Sequence, residues 1–385
     1  LSLGKKTQCE RNVVMKYDFR WSSVYKPDAK RVELAKKRQA MFWRGEKPDK
    51  CPIILAGDLT PEQQEIPDYN FKEAFYDVNK MLSVQLKGAC SIANAMADGV
   101  PSTRGNYGTG ILAACLGLEQ EVFEDKMPWL RKHLTKKEIV RLTPDDIKPR
   151  GSFAEGLKYM EYHKRIMGDL LPLYCMDTQG PFDVAHLIMG DDIFYEIYDD
   201  PPFIHHLMEI SLELIIRATE WMKEISNEPL NKLYHSNGLY AENMGIRICE
   251  DTTAVLGEDA IYKYALPYTR RLASHFGGAW VHYCGRNDFL TDAVLNSPEI
   301  RGINFGHIPG HEYDHIFEVE MEKCKAKKKI YYGNWPRLPG EGDKQYIRRL
   351  YRWAKEGVLI PHCNQAIGNE LKNATEVRDY WYSLD

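Results

Sequence analysis

The chain has 385 residues, of which 44% are hydrophobic and 28% charged, and its formal net charge is −4. This composition is typical of a globular protein with a large core, and the slight acidic excess argues against a nucleic-acid partner. No apolar run approaches the roughly 18 residues of a membrane span, so we expect no membrane association. Nine cysteines without CxxC spacing favour a cytoplasmic protein over a secreted one.

The first 45 residues are polar and helical in pattern, so we expect an N-terminal helical extension over residues 1–45 and one domain over residues 46–385. Helices are predicted at residues 31–44, 71–97, 153–168, 201–225, 258–276, 313–324 and 345–355. Strands are predicted at residues 51–56, 99–104, 170–176, 230–235, 245–249, 279–284, 300–305, 329–332 and 358–362. Because strands alternate with helices and polar residues follow the strands, the sequence predicts an α/β fold, a (β/α)8 TIM barrel.

The most informative motif is a His-x-Cys at the end of one predicted strand. His282 and Cys284 are two residues apart and therefore share one face of that strand. Cys363 follows the last predicted strand and is a candidate third ligand. One imidazole and two thiolates suit zinc, and three protein ligands leave the fourth position open, as in catalytic zinc sites. The alternative that these are ordinary packed residues stays open.

Other polar residues also follow predicted strands, where the chemistry of a barrel is found. Glu250 and Asp251 are candidates for a fourth ligand or an acid/base group, and strand alternation allows only one of them to face the metal. Four further residues are expected to contact substrate, with helix capping or solvation as the alternative: Asp177, His235, Asn304 and His307.

Three segments of the chain resemble the uroporphyrinogen decarboxylase superfamily. They are residues 177–190 (DTQGPFDVAHLIMG), 250–267 (EDTTAVLGEDAIYKYALP) and 282–293 (HYCGRNDFLTDA). The resemblance covers the chain from about residue 38 and is strongest to the zinc-dependent corrinoid methyltransferase branch, of the methylcobamide:coenzyme M methyltransferase and O-demethylase type. It implies a TIM barrel and a zinc motif that corresponds here to His282, Cys284 and Cys363.

The resemblance also implies an activity. Members of this branch move a methyl group between a corrinoid and a small-molecule thiol or a methoxylated or methylated compound, and the direction here is left open. The chain contains no Asp-x-His-x-x-Gly motif for binding a corrinoid, so we expect a separate corrinoid protein as partner, docking over the barrel mouth. The oligomeric state is open, with a homodimer as one option.

The decarboxylase branch fits the sequence poorly. Its members carry arginines directly after the first strand, whereas residues 57–65 contain none and include Asp58, Glu62 and Glu65. These acidic side chains would repel a substrate with many carboxylates, so uroporphyrinogen is not an expected substrate. Two rival interpretations remain: a metal-free decarboxylase acting on a smaller acid, and a barrel without catalytic activity.

Overall fold

The computed structural model describes residues 19–235 and 238–385, so the first 18 residues of the expected N-terminal extension and Cys9 lie outside the described part. The α-helices are α1 (Ala29–Trp43), α2 (Pro61–Gln64), α3 (Phe71–Tyr76), α4 (Val78–Asn94), α5 (Lys136–Ile139), α6 (Gly151–Met167), α7 (Pro181–Met189), α8 (Ile193–Asp199), α9 (Pro201–Ser226), α10 (Glu258–Ala260), α11 (Leu266–His275), α12 (Asp288–Asn296), α13 (Phe317–Ala326), α14 (Asp343–Lys355) and α15 (Ala374–Tyr382). The strands are β1 (Gln120–Glu121), β2 (Trp129–Leu130), β3 (Lys232–His235), β4 (Leu239–Glu242), β5 (Ile246–Cys249), β6 (Ala279–Cys284), β7 (Ile300–Gly306), β8 (Ile330–Gly333) and β9 (Leu359–Pro361).

A parallel sheet of five strands, in the order β5-β6-β7-β8-β9, forms the centre of the molecule. Its strands confirm the predicted α/β class and the last five predicted strand positions. Side chains alternate between two faces. On β6, Val281 and Tyr283 join the large core that includes the helices, and we call this side the helix face. Trp280, His282 and Cys284 occupy the opposite side, which we call the site face.

The first three predicted strands are reduced to single bridges. Ile54 pairs with His362, and Thr103 pairs with Leu173, both in parallel. Each of the three segments contains a proline (Pro52, Pro101 and Pro172), which cannot donate a hydrogen bond to a neighbouring strand. The Ile54 amide donates to the Pro361 carbonyl over 2.9 Å, which joins the first segment to β9. A closed barrel of eight strands therefore stays a prediction, while the parallel sheet is confirmed.

The predicted strand at 230–235 does not join the five-stranded parallel sheet. It becomes β3, which pairs antiparallel with β4, a strand that the sequence did not predict. Leu233 and Leu239 of this pair, together with Phe42 of α1, pack on the site face against Trp280. The hairpin and α1 thus fill the site face around Trp280.

Helix α1 is held to the domain by buried charges. The Arg38 guanidinium bonds Asp98 over 3.0 Å and Asp49 over 2.6 Å. The Arg38 guanidinium is therefore paired with two carboxylates. The division between an extension and a barrel domain is not tested, but α1 packs directly on β4 and on the site face.

Two predicted helices are interrupted. The helix expected over residues 71–97 breaks at Asp77, whose φ is −136° and whose carboxylate caps α4 by accepting from the Asn79 amide. The helix expected over residues 258–276 contains a π-helical turn at Ile261–Ala265, next to Pro267 in the first turn of α11. The long helix expected over residues 201–225 is confirmed as α9.

In the described residues, no helix has both the length and the apolar character needed to cross a membrane.

Candidate metal centre at the end of the parallel sheet

His282 and Cys284 lie at the carboxyl end of β6 with their side chains together. Cys284 Sγ is 3.6 Å from His282 Nε2. His282 Nδ1 lies 2.7 Å from Asn304 Oδ1, and because an amide oxygen only accepts, Nδ1 carries the proton. Nε2 therefore presents its lone pair towards Cys284. Burial, helped by the nearby Arg247 cation, lowers the pKa of His282, so the imidazole is neutral, as a metal ligand must be.

Strand β5 brings two further candidate ligands beside this pair. Cys249 is the register partner of His282, and Asp251 follows two residues later. Asp251 Oδ1 accepts from the Cys284 amide over 2.7 Å, and Asp251 Oδ2 lies 3.1 Å from Cys249 Sγ. The ligand atoms of Cys249, Asp251 and His282 all lie within 4.8 Å of one another. Of the two acidic residues expected here, Asp251 is the one that faces the site.

The donor set fits a divalent ion of the zinc type. One imidazole nitrogen, thiol sulfurs and one carboxylate oxygen are the ligands that zinc accepts. Burial, with Asp251 nearby, raises the pKa of Cys284 to about 11, and burial raises the pKa of Cys249 well above its usual value. Without a metal, both thiols therefore keep their protons at neutral pH. A bound cation would displace these protons and leave thiolate ligands.

The structure places Cys363 away from this group, contrary to the ligand set expected from the sequence. Cys363 is fully buried in the helix-face core, where its thiol lies near Tyr346 of α14. Its neighbour His362 takes the other side, with its ring 4.7 Å from that of Tyr332. Adjacent residues of a strand face opposite ways, so only one of them could reach the site face.

Glu250 lies on the helix face and not with Asp251. Its carboxylate accepts from the hydroxyls of Thr253 and Thr269, each over 2.5 Å. Burial raises the pKa of Glu250 to about 7, although these hydroxyl bonds oppose the shift. The buried Asp183 carboxyl is close by, and burial together with Glu250 raises its pKa as well. The expected catalytic role of Glu250 therefore has no support from its position.

Asp177 lies near the metal centre between two arginines. Its carboxylate contacts Arg104 Nη1 over 3.4 Å and Arg247 Nη1 over 3.2 Å. Burial would raise the pKa of Asp177, but the two guanidinium groups outweigh it and hold the pKa below its ordinary value. His235 lies nearby with its ring between those of Tyr174 and Trp280, and burial lowers its pKa well below the usual range. Both residues line the same end of the site face.

The two other expected substrate residues have different environments. Asn304 bonds His282 directly, so its position favours the orientation of a ligand over contact with substrate. The His307 ring packs at 5.0 Å from that of Trp335, in the segment after β7. Burial lowers the pKa of His307 to about 4. The structure brings Asp177, His235, Asp251, His282, Cys284 and Asn304 to one region and leaves Glu250, His307 and Cys363 outside it.

Sequence reasoning missed Cys249 and Arg247. A signal for Cys249 was present, because Cys249 and Asp251 repeat the two-residue spacing of His282 and Cys284 at the end of the preceding strand. Arg247 is the single charge in the apolar run Ile246–Cys249, and it has the same strand parity as Cys249. A charged residue in a buried strand next to a candidate ligand is a usable functional signal.

The region beyond the strand ends is open and partly apolar. A cavity of about 250 Å³ is lined by Ala56, Ser102, Tyr174 and His362 among others. Exposed apolar side chains follow β5 to β9 in the chain: Val255, Phe289, Ile308, Tyr313, Ile316, Leu338 and Ile367. Since the carboxyl ends of parallel strands lie at one edge of a sheet, these side chains belong to the edge that carries Cys284.

The chain matches known proteins in fold and in family. The model of the family described as uroporphyrinogen decarboxylase (URO-D) matches residues 34–224. A solved structure, a methyltransferase from Methanosarcina mazei, has a TM-score of 0.62 and 16% sequence identity to this chain, and the match covers 91% of this chain and 98% of that one. No curated protein matches the sequence. The family match over residues 34–224 confirms the resemblance seen in the sequence, and the similar solved structure shares the fold.

Proposed function

We propose that this protein is a metal-dependent methyltransferase that moves a methyl group between a corrinoid and a small-molecule substrate. The observation that carries the proposal is the group formed by Cys249, Asp251 and His282, with Cys284 beside it. The name of the similar Methanosarcina mazei structure agrees with methyl transfer. The substrate, the direction of transfer and the dependence on a corrinoid are parts of the proposal.

We propose His282, Cys284, Asp251 and Cys249 as the residues that hold the ion, which we take to be zinc. A zinc ion supplies Lewis acidity, which deprotonates a coordinated thiol or polarises the bond to a methyl group. In this ligand set Cys363 is replaced by Cys249 of β5 and by Asp251, which follows β5. Asn304 fixes the ring of His282, and Asp251 has a second role in holding the Cys284 amide.

The residues around the ion would position the substrate. His235 and Trp280 provide neutral ring surfaces, and Asp177 holds the two arginines in place. The proposed closure of the sheet into a barrel, with Ile54 bonded to β9, would shield the reacting atoms from water. The eight described cysteines are all free thiols, which supports a reducing, cytoplasmic setting.

The corrinoid is proposed to come on a separate protein. The exposed apolar side chains that follow β5 to β9 support this part of the proposal, because apolar side chains exposed at the edge that carries the site are typical of a docking surface. Cys284 is itself exposed at that edge, so a partner seated there could present its methyl group to the site.

The test combines metal analysis with a methyl-transfer assay. We expect about one zinc ion per chain and, with a corrinoid protein or more weakly with free methylcobalamin, absorbance changes that follow transfer to a thiol or from a methoxylated donor. Asp251→Asn should lower both zinc content and transfer, while Cys363→Ser should retain both. If the wild-type protein binds no zinc and releases carbon dioxide from a small acid, the metal-free decarboxylase is the correct alternative.

A further inference from the structure

The orientation of the Asn304 amide decides which nitrogen of His282 presents a lone pair to the metal centre. Asn304 Oδ1 lies 2.7 Å from His282 Nδ1 and accepts its proton. If the amide were flipped, its NH2 group would donate to Nδ1, and the ring proton would lie on Nε2. Nε2 would then have no lone pair for an ion. A group that fixes the Asn304 amide therefore also fixes the ligand atom of His282.

Tyr331 of β8 places a hydroxyl beside this amide, where β7 and β8 separate. The paired positions of the two strands end at Ile303 and Tyr331, whereas β7 continues to Gly306. The Tyr331 hydroxyl accepts from the Phe305 amide over 3.3 Å and donates to the Asn334 carbonyl over 3.4 Å. The phenol thereby bridges the two strand ends beyond their last paired residues.

The hydrogen bonds of the phenol have a fixed polarity. The Phe305 amide can only donate and the Asn334 carbonyl can only accept, so the single phenol proton points to Asn334. Burial raises the pKa of Tyr331, so this proton stays in place at neutral pH. Asn304 Nδ2 lies 3.4 Å from the same phenol oxygen, which meets it as an acceptor. The NH2 group of Asn304 therefore faces Tyr331, and its Oδ1 faces His282.

The space for the Asn304 amide depends on a residue without a side chain. Gly333, the last residue of β8, has a φ of +144°, and a Cβ on it would overlap Asn304 Nδ2. Asn304 is buried, and the Tyr331 oxygen is the acceptor that the described residues offer to its NH2 group. Loss of that oxygen would leave a buried N–H group without a partner, which is unfavourable.

We propose that Tyr331 is a positioning residue that sets the tautomer of His282 through the Asn304 amide. The polarity runs in one direction, from the Asn334 carbonyl through the phenol and the amide to the Nδ1 proton of His282. Nε2 keeps its lone pair on the side of Cys284, where the ion is proposed to bind. This inference rests on the proposed function, since the fixed tautomer matters for binding that ion.

NMR of the full chain, labelled with nitrogen-15 in its histidines, measures the tautomer directly. In the metal-free wild type we expect the Nδ1–H tautomer of His282, with its signals assigned by their absence in His282→Gln. Tyr331→Phe should shift these signals towards a mixture of both tautomers, because the amide can then flip. Tyr346→Phe is the matched control, since the buried Tyr346 hydroxyl also donates to a backbone carbonyl, that of Trp335. An unchanged His282 ring in Tyr331→Phe would overturn the inference.

A second pair of variants separates orientation of the amide from packing. Asn304→Asp replaces the amide with a carboxylate, which accepts at both oxygens and needs no fixed orientation. Tyr331→Phe should weaken zinc binding by about 10-fold in the wild-type background and by less than about 2-fold in Asn304→Asp. Titration with a competing chelator measures both changes. An equal loss in the two backgrounds would show that Tyr331 acts through packing, and this result too would overturn the inference.

The outcomes distinguish this inference from the proposed function. The tautomer is measured without metal or substrate, so the positioning role stands if Tyr331→Phe disturbs it in a protein that transfers no methyl group. If zinc binds and methyl transfer occurs while the tautomer is unchanged in Tyr331→Phe, the proposed function stands and the positioning role fails.

Discussion

A histidine and a cysteine lie at the end of β6 and directly after β9, and the two pairs have opposite arrangements. On β6 the two residues are separated by one, so His282 and Cys284 share the site face. At the end of β9 they are adjacent, so His362 faces the site side while Cys363 is buried in the helix-face core. The difference teaches that the parity of spacing, more than the residue types, decides which thiol can join a site on a sheet.

The largest expected effect separates the two histidines. His282→Ala should weaken zinc binding by about 100-fold or more, because even the loss of a residue that only orients a ligand costs 10–100-fold. His362→Ala should leave the zinc content unchanged, since no ligand group of the described residues includes it. Zinc titration with a competing chelator measures both. Equal losses in the two variants would mean that β9 contributes to the metal centre.

We expect Cys284 to matter for zinc binding and Cys363 to matter for the free energy of unfolding. Cys284→Ser should weaken zinc binding by about 10-fold or more with a change in the free energy of unfolding below about 0.5 kcal/mol. Cys363→Ser should keep the zinc and lower the free energy of unfolding by about 1–3 kcal/mol, because a hydroxyl without a partner is buried in an apolar core. Urea denaturation of the metal-free proteins supplies the second quantity. A loss of zinc in Cys363→Ser would show that Cys363 is a ligand.

A smaller effect tests the same rule of parity at residues 250 and 251. The carboxyl of Glu250 has a pKa of about 7 in the folded protein, against 4.5 as the ordinary value. Between these pH values the folded state keeps a proton that the unfolded state has lost, so stability falls as pH rises through this window. The contribution is about 3 kcal/mol at most, from 1.36 kcal/mol per pH unit.

Glu250→Gln cannot ionise, so its free energy of unfolding should fall less steeply between pH 5 and 8 than that of the wild type. Denaturation at a series of pH values measures the free energy of unfolding of each variant. Glu62→Gln is the control, because Glu62 is exposed. Zinc binding should be retained in Glu250→Gln. The assignment of Glu250 to the helix face would be wrong if this variant lost its metal while keeping the pH dependence of the wild type.

The general fold was readable from the sequence because its signals are local. Alternating helices and apolar strands gave the α/β class, and the last five strands lie close to where they were predicted. The first three predicted strands form only single bridges, since each segment contains a proline. Strand β4 was not predicted, because it has only four residues.

The site was only partly readable for a different reason. The sequence by itself determined the His-x-Cys pair, since a spacing of two fixes a shared face on any strand. It also determined that Glu250 and Asp251 could not both face the ion. Which of the two does so depends on the direction in which β5 enters the sheet, and only the tertiary structure decided that.

The same limit applies to Cys249, Arg104 and Arg247. Their contacts join residues far apart in the chain, such as Arg104 with Asp177 and Cys249 with His282. The sequence supplied the donors, the family and the spacing within each strand. The register between strands, which places Cys249 beside His282 and two arginines on one carboxylate, results from the packing of the whole sheet and is set by no single segment.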